Sequence, residues 1–523
     1  MLRIILKYAH ACLDFLEDFA SDYENALLQT GFGNFQFLLI TICGLIYMNT
    51  AMGVTIISFV LPSATCDFTM TSTDKGWLSA SPMLGMLIGS YFWGCLADTK
   101  GRRVVLITTL LADGIFGILS SFAPIYIIFM LFRLVNGFNV AGTMSIIFPY
   151  LGEFQTTQHR EKILCWMELY WTFGIILLPG IAWSLIPLKI NIGSGIISYH
   201  SWNLFVALCA VPSILLGLWL FAFPESPKFL LEHGESEKAL EVLTLIYVKN
   251  TGQSRSNYPC TTLRESIRPL QRDGETNIQN QRIGNFIELK NLSVEIWDQT
   301  KTLYKHPYLK NSVITCAIQF CLTTSYYTLM VWFPEIFQRY DDYEKANPGI
   351  PASVCDISSI VTSNTTFVDC ESEIDHTVFF HTFIIGLACI PTSFWLPLCV
   401  HKLGIKFFLV FSLTAAGFVT LGFYFARSSF ENLILSCIFE ALTSLSISTL
   451  YCVLVDLFPT NLRVMAAAMS MTFGRGGALL GNLIFGLLID LNCIIPIILF
   501  SGMLFASAFL CWILPTTGAD ALN

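Results

Sequence analysis

An arginine lies deep inside one of the longest apolar runs of this sequence. Arg475 is the twelfth residue of the run 464–489, and Gly474 and the pair Gly476-Gly477 flank it. Small residues here would let neighbouring helices approach closely around a buried guanidinium. The guanidinium stays charged and presents a planar fork that suits a carboxylate, so Arg475 is a candidate for binding a charged solute. Four more charged residues lie at depth in other apolar runs: Asp113, Arg133, Glu168 and Glu440.

Glu440 is unusual among these charges. It lies about ten residues into the run 431–456. A carboxyl group there could serve as a proton carrier, because burial disfavours the charged form of an acid. It could equally be the counter-ion of Arg475, in an internal pair that only fixes helix packing. The sequence does not choose between these two roles.

Charges also cluster at the ends of the apolar runs, with a spacing that recurs. Glu153 precedes Arg160 by seven residues, and Asp456 precedes Arg463 by seven. Such charges could form a gate, because two rigid halves that rock need contacts that hold in one state and break in another. They could also only tether loops and set topology, since basic loops alone satisfy the positive-inside rule. The same kind of cluster contains Asp98, Gly101, Arg102 and Arg103.

The composition indicates that all these charges belong to a polytopic membrane protein. Hydrophobic residues make up 54% of the 523 residues and charged residues only 13%, which is too few for a soluble surface. The net charge of −8 and the absence of a basic patch argue against a nucleic-acid partner. There is no GxxxxGK[ST], HExxH, zinc-type CxxC or Ser-His-Asp pattern, so we expect no enzyme, no cofactor and no metal site.

The apolar runs are long enough to cross a bilayer as helices, which needs about 20 residues each. Lipid-exposed open sheet edges are excluded because their backbone groups would lack partners. We predict an all-α membrane protein with twelve spans: 35–61, 77–97, 104–122, 125–148, 163–187, 202–223, 308–333, 377–400, 405–426, 431–456, 464–489 and 494–514. The resulting parts are an N-terminal segment 1–34, a six-helix bundle 35–223, a central loop 224–307, a second bundle 308–514 with a polar insert 334–376, and a tail 515–523.

Lysine and arginine predict the orientation. With both termini cytoplasmic, the short inner segments carry ten Lys and Arg, the central loop eleven and the outer segments five. The insert 334–376 would then be extracellular or lumenal. Two features of the insert agree: Asn364 heads a glycosylation acceptor, and Cys355 and Cys370 are the pair of cysteines that could bridge in an oxidising compartment.

The two halves of the chain repeat each other. Asp98 aligns with His401, Gly101 with Gly404 and Arg103 with Lys406, at an offset of 303 residues. The Glu153/Arg160 pair aligns with Asp456/Arg463 at the same offset. Two unlinked motifs at one offset indicate a parallel duplication of a six-helix unit. His401 replaces the acid of the first copy, so the second copy should be the weaker clasp.

These motifs resemble the major facilitator superfamily over about 480 residues. Two more motifs belong to this pattern, Arg133-x-x-x-Gly137 and Pro224-Glu-Ser-Pro-Lys228. The Asp98-x-x-Gly101-Arg102-Arg103 motif and the Pro-Glu-Ser-Pro motif are similar to those of the sugar and organic-ion porters. Three further stretches look like the synaptic vesicle glycoprotein 2 family: GFGNFQ (31–36), SFVLPSA (58–64) and SYYTLMVWFPE (325–335).

The resemblance implies roles for particular residues. The charge pairs at the cytoplasmic ends would close that side in an outward-open state. Trp171, Tyr326 and Tyr327 would line a central cavity and stack on a planar or cationic ligand, although aromatic residues are 14% of the chain and most would face lipid or neighbouring helices. A basic residue at the position of Arg475 accompanies anionic substrates in the organic-ion porters, so the resemblance favours an anionic solute.

The sequence also departs from the vesicle glycoproteins. Their first span carries acids, whereas here it reads Met48-Asn-Thr-Ala-Met-Gly53, and a tryptophan and an aspartate of their tenth span are replaced by Ile447 and Tyr451. The remaining candidates for proton coupling are Asp113, Glu168 and Glu440.

Two functions follow. The first is a carrier that moves a small organic solute, favoured to be anionic, by alternating access. The second is a transport-inactive binding or vesicle-trafficking protein on a carrier scaffold, with the insert as the surface for a protein partner. Both would be multi-pass proteins in contact with membrane lipid, and the residues fit a plasma membrane or a secretory or synaptic vesicle equally well.

Overall fold

A computed structural model gives the architecture of the chain. It describes residues 23–188, 190–192, 199–263, 301–348, 350–351, 353–357, 374–394, 405–458 and 460–514. Asn364, Cys370 and His401 lie outside these ranges, as does the tail from 515.

The first half contains six membrane-length helical segments. A break at Ile56 divides the first of them into two helices. Thr71 caps the second, because its hydroxyl accepts the Asp74 N–H at 3.2 Å while the Asp74 carboxylate accepts the Thr71 N–H at 2.9 Å. The helices are Asn34–Thr55 with Ile57–Ser63, Ser72–Lys100, Arg102–Ser121, Tyr126–Glu153, Thr157–Leu185 and Ser201–Leu220.

The second half repeats this plan. Its helices are Leu309–Ala346, His376–Ala388 (helical on to Phe394), Ile405–Gly422, Ser429–Leu457, Thr460–Leu488 and Ile494–Ile513. Across the described ranges, eleven helical segments are long and apolar enough to cross a membrane. The ninth, Lys406–Gly422, is apolar but shorter, and the residues just before it, 395–404, are not described.

The seventh span extends further than predicted. Its helix continues through Pro334 to Ala346, so the polar insert begins after 346 rather than at 334. The sequence turns polar at Glu335, but Glu335, Gln338 and Arg339 are buried in this part of the helix.

The helix pairs obey the predicted duplication. In each half the first helix packs on the fifth and the third packs on the sixth. Between the halves, the second span packs on the eleventh and the fifth on the eighth, which is the exchange that a twofold relation produces. At the outer end of the first of these contacts, a Cβ added to Gly486 would lie 2.6 Å from the Gly76 Cα, so both glycines are needed for the close approach.

We call the face at the Lys100–Arg102 turn the inner face, following the predicted orientation, and the opposite face the outer face. Part of the central loop is folded against the inner face, as helices Pro227–Glu232 and Ser236–Thr251 and a 3₁₀ turn at Arg255–Asn257. On the outer face there are a short helix, Thr65–Phe68, and an antiparallel pair of strands, Asn191–Ile192 and Tyr199–His200.

The disulfide on the outer face differs from the predicted one. Cys355 is bonded to Cys493, with the two Cα atoms 5.2 Å apart, and not to Cys370. The prediction compared only cysteines within the insert. The fold instead brings the insert onto the turn between the eleventh and twelfth spans, 138 residues away in sequence.

Candidate solute site and gates

Arg475 reaches from the second half to the first. Its Nη1 lies 3.5 Å from the carbonyl oxygen of Met86 on the second span, and the tyrosines Tyr327 and Tyr451 are its electrostatic partners. Within the described part of the chain, its guanidinium forms no ion pair with a carboxylate. In chemical terms, a guanidinium at the junction of the halves can donate paired hydrogen bonds to an oxyanion.

Glu440 is not the counter-ion of Arg475. Its side chain is buried, with 1% of the residue exposed, and neither carboxyl oxygen has a hydrogen-bond partner in the described structure. The hydroxyl of Tyr326 faces this carboxyl group, but at a geometry short of a hydrogen bond. Of the two roles left open by the sequence, the packing pair with Arg475 is thus not formed.

Aromatic residues from both halves lie beside these charges. The Trp171 indole lies against the Tyr47 ring at a centroid distance of 5.1 Å and also faces the Tyr326 hydroxyl. The Tyr326 and Tyr327 rings are 4.9 Å apart. Glu168 lies beside the Tyr47 hydroxyl. We call this group the central chamber, after the cavity that the resemblance predicts; it consists of Tyr47, Glu168, Trp171, Tyr326, Tyr327, Glu440, Tyr451 and Arg475.

Asp113 lies elsewhere, in a polar network within the first half. Its carboxylate accepts hydrogen bonds from Asn136 Nδ2 at 2.9 Å and from Ser213 Oγ at 2.8 Å. Ser213 also accepts one from Asn49 Nδ2 at 2.8 Å, so the network joins the first, third, fourth and sixth spans. The structure does not bring Asp113 to Arg475, because depth in a helix does not fix the direction in which a side chain points.

Arg133 is likewise outside the central chamber. It is buried in the first half, where Nη2 donates to the Ser120 hydroxyl and the guanidinium lies 5.3 Å from the centre of the Phe129 ring. The contact with Ser120 joins the fourth span to the third.

The charges of the inner face hold the first half together. Arg102 pairs with Asp98 at 3.2 Å and with Glu153 at 3.3 Å, all within that half. Gly101 forms the sharp turn between them with a φ of +102°, a conformation that suits glycine. Glu225, from the Pro-Glu-Ser-Pro motif, accepts the backbone N–H of Arg103 at 2.9 Å.

Arg160 stabilises the end of the fourth span. Its Nε donates to the Gly152 carbonyl at 2.9 Å and its Nη2 to the Gln155 carbonyl at 3.1 Å. Asp456 and Arg463 lie at the corresponding helix ends of the second half, but their side chains are outside the described structure. The described contacts of these inner charges therefore tether neighbouring helices of the first half. Contact between the halves towards the inner face comes instead from the fifth and eighth spans, where the Trp166 and Phe394 ring centres are 5.9 Å apart and the Thr172 and Ser393 hydroxyls 3.0 Å apart.

A buried ionic cluster at the outer face does bridge the halves. Lys75 Nζ of the second span lies 2.6 Å from Glu335 Oε1 of the seventh. Arg339 contacts Glu335 at 3.1 Å, Asp490 at 2.9 Å and the Ser72 hydroxyl at 2.8 Å. Lys75, Glu335 and Arg339 are each less than a tenth exposed. We call these five residues the outer cluster.

Sequence reasoning missed the outer cluster. It counted Lys75 and Arg339 only as charges of outer segments. The spacing of Glu335 and Arg339, four residues apart on one helix, was the available signal, since residues at i and i+4 share a face. Their partner Lys75 could not be found this way, because it is 260 residues distant.

A sequence model of the Major Facilitator Superfamily matches residues 43–366, which is more than half of the chain. The chain belongs to the major facilitator superfamily. The twelve-span duplicated fold expected from the resemblance is thereby confirmed, and the chain is a multi-pass protein of a membrane transport family.

Within the superfamily the chain is similar to the synaptic vesicle glycoproteins 2. Synaptic vesicle glycoprotein 2C of Mus musculus is 27% identical over 97% of this chain and 82% of its own length. Synaptic vesicle glycoprotein 2B of Homo sapiens is 26% identical over 97% of this chain and 87% of its own length.

Solved superfamily structures agree in fold. The xylose transporter XylE from E. coli, in a partially occluded inward-open conformation, gives a TM-score of 0.64 over 92% of this chain and 100% of its own, at 15% identity. The inward-open conformation of XylE gives 0.64 over 93% and 98%, at 16% identity. At these identities the similarity concerns the fold alone.

Proposed function

We propose that the chain is a carrier that moves a small organic anion by alternating access, with the solute held in the central chamber. The observation that carries the proposal is the Arg475 guanidinium, which lies at the junction of the halves beside Tyr327 and Tyr451 without a carboxylate partner in the described structure. An arginine in such a position binds a carboxylate or a similar oxyanion in a fork geometry, while the tyrosines supply hydroxyl donors and apolar faces.

The arrangement of ion pairs supports the alternating-access part of the proposal. The Lys75–Glu335 ion pair and the Arg339–Ser72 hydrogen bond join the halves at the outer face, whereas the ion pairs of Arg102 at the inner face remain within the first half. An outer cluster that joins the halves is expected of a state closed to the outside. Opening the outer face requires the cluster to separate, and closing the inner face requires new contacts between the halves.

The Lys and Arg distribution predicts that both termini are cytoplasmic, and in this orientation the outer cluster lies on the extracellular or lumenal side. A plasma membrane and a vesicle membrane fit this orientation equally.

Uptake into proteoliposomes tests the proposal. A panel of radiolabelled organic anions, cations and neutral sugars is presented to the wild type, to Arg475→Ala and to Arg255→Ala, a matched arginine substitution in the exposed central loop. We expect uptake of at least one anion by the wild type and by Arg255→Ala, and a loss of about 10-fold or more in Arg475→Ala, as for removal of a charged hydrogen-bonding partner. Anion uptake that is unchanged in Arg475→Ala would remove this residue from the site.

The second candidate is a transport-inactive binding or trafficking protein, with the outer insert as the surface for a protein partner. The similarity to vesicle glycoproteins and the loss of the first-span acids favour it. Deleting 358–373 leaves the Cys355–Cys493 bond in place and removes Asn364. A carrier keeps uptake after this deletion, whereas a scaffold loses its partner.

A further inference from the structure

The central chamber contains an acid and a base on opposite halves, and both are partly exposed to solvent. Glu168 belongs to the fifth span and Arg475 to the eleventh. Tyr327 and Tyr451 are the other partly exposed members of the chamber, whereas Glu440 is buried, with 1% of the residue exposed. The solvent-accessible part of the chamber therefore consists of one acid, one base and two tyrosines.

The fifth span directs Glu168 towards the junction of the halves. Trp171 and Thr172, three and four residues further along the helix, lie on the same face as Glu168. The Trp171 ring packs on the Tyr47 ring at 5.1 Å, and the Thr172 hydroxyl lies 3.0 Å from the Ser393 hydroxyl of the eighth span. The Glu168 carboxyl group itself lies beside the Tyr47 hydroxyl. The acid of the first half thus faces the second half.

The acid and the base do not pair with each other. Among the residues that the structure describes, neither Glu168 nor Arg475 forms an ion pair. Both charges interact electrostatically with the hydroxyls of Tyr327 and Tyr451, so the same two tyrosines adjoin the acid and the base. Because charges at membrane depth are costly, each of the two requires a partner of opposite sign.

A solute with a single charge leaves one of the two residues without such a partner. A plain carboxylate pairs with Arg475 but adds a second negative charge to a chamber that already contains Glu168. A carboxylate that also carries a cationic nitrogen pairs with both residues, through charge-assisted hydrogen bonds at its two ends. The hydroxyl oxygens of Tyr327 and Tyr451 can accept the remaining hydrogen bonds of an ammonium group.

We propose that the solute of this carrier is a zwitterion, an organic carboxylate with a cationic nitrogen, whose carboxylate binds Arg475 and whose nitrogen binds Glu168. The bound solute then joins the two halves by its opposite ends and brings no net charge into the chamber. The inference rests on the proposed carrier function and narrows its class of substrate.

Matched pairs of solutes test the proposal. Each pair consists of an ω-aminocarboxylate and the carboxylate of equal length in which a methyl group replaces the ammonium, and the chain length varies along the series. At neutral pH the amine is protonated and the acid ionised. The melting temperature of the purified protein, titrated with each solute, measures binding without transport. For at least one length, we expect the wild type to bind the aminocarboxylate about 10-fold more tightly than its methyl counterpart, as for a hydrogen bond between charged groups.

Three variants assign the two ends of the solute. Glu168→Gln should bind both members of each pair equally, and Arg475→Ala should bind both more weakly than the wild type. Glu241→Gln, at an exposed position of the central-loop helix Ser236–Thr251, is the matched control and should keep the wild-type preference.

Glu168→Asp provides a second readout, which also serves if the glutamine variant fails to fold. Aspartate withdraws the carboxylate towards the fifth span, so the preference for an aminocarboxylate should persist and the best chain length should increase by one methylene. A residue that only stabilises helix packing would not shift the preferred length of the solute.

A wild type without a preference at any chain length, or a preference that Glu168→Gln retains, overturns the inference. Uptake of plain carboxylates that depends on Arg475, without any preference for the aminocarboxylates, would retain the anion carrier and reject the zwitterion. A preference in binding that depends on Glu168, together with no uptake of any solute into proteoliposomes, would retain the zwitterion site and reject the carrier.

Discussion

Lys75 and Glu335 approach to 2.6 Å although they belong to different halves of the molecule. Both side chains are buried, and Arg339 and Asp490 complete the group of charges around them. A buried pair contributes little net stability by itself, but removing one partner leaves an uncompensated charge, which is costly. Such a cluster suits a gate, because water can solvate its charges when the halves separate, and the ion pairs form again only when the side chains are correctly aligned.

Glu335→Gln should open the outer face. The substitution leaves Lys75 and Arg339 without their shared carboxylate, and we expect a destabilisation of the closed state by about 3 to 5 kcal/mol. Ser79→Cys, one turn deeper on the second span and buried in the wild type, reports the opening. Its labelling by a membrane-impermeant maleimide should rise several-fold in Glu335→Gln.

Lys345→Gln is the control for this prediction. Lys345 pairs with Asp341 at 2.5 Å and with Asp375 at 2.9 Å, but its side chain is 55% exposed and the pairs stay within the second half. Its loss should leave the labelling of Ser79→Cys unchanged. Equal labelling in both backgrounds would mean that the outer cluster does not close the structure.

Cys493→Ser should destabilise the outer face of the second half. The Cys355–Cys493 bond closes a loop of 138 residues, and losing a native disulfide costs about 2 to 5 kcal/mol. We expect the variant to have a lower melting temperature in detergent. A reducing agent should lower the melting temperature of the wild type to the same value and leave that of the variant unchanged. Peptide mapping under non-reducing conditions gives the direct check, and a Cys355–Cys370 peptide would contradict the described pairing.

Asn250→Ala should release the central loop from the inner face. The Asn250 amide accepts the Phe35 N–H at 3.1 Å and donates to the carbonyls of Thr30 at 3.1 Å and Gly31 at 3.0 Å. Leaving these backbone groups unpaired should cost about 1 to 3 kcal/mol. Limited proteolysis between 252 and 307 should become several-fold faster. As a control, the variant Asn257→Ala, which changes an exposed asparagine, should be cleaved at the wild-type rate.

The stability of the outer end of the eighth span should fall in acid. The Thr377 backbone N–H, followed by the Lys345 ammonium, lowers the pKa of Asp375 from 3.8 to about 2. A carboxyl group whose pKa is lower in the folded state than in the unfolded state stabilises the fold at pH values above its unfolded pKa. This contribution is lost as the pH falls from about 4 towards 2. Because Asp375 is partly exposed, we expect at most about 1 kcal/mol. Thermal unfolding in detergent should show this pH slope in the wild type and a flatter one in Asp375→Asn.

The sequence predicted the spans, the duplication and the depth of the buried charges, because hydrophobic length and a fixed offset are local or periodic properties. Arg475 and Glu440 were found this way. The sequence does not give the direction in which a side chain points. Asp113 was therefore grouped with Arg475 and Glu440, although it points into the network of Asn136 and Ser213.

Long-range pairs were also beyond the sequence. The Lys75–Glu335 pair and the Cys355–Cys493 bond depend on how distant helices meet, and the sequence carries no periodic signal for either. The limits of the seventh span were misjudged for a related reason. The sequence turns polar at Glu335, yet Glu335 and Arg339 are buried because their charges have partners on the second span and on the turn that follows the eleventh.

The most direct test of the account is counterflow in proteoliposomes, because it requires one site that faces both sides in turn. Vesicles are loaded with an unlabelled organic anion that the uptake panel identifies, and entry of the labelled anion is measured. We predict that the internal anion accelerates entry in the wild type, and that Arg475→Ala abolishes this acceleration. An anion that enters at the same rate with loaded and empty vesicles, or acceleration that persists in Arg475→Ala, would contradict a solute site at Arg475 that alternates between the two faces.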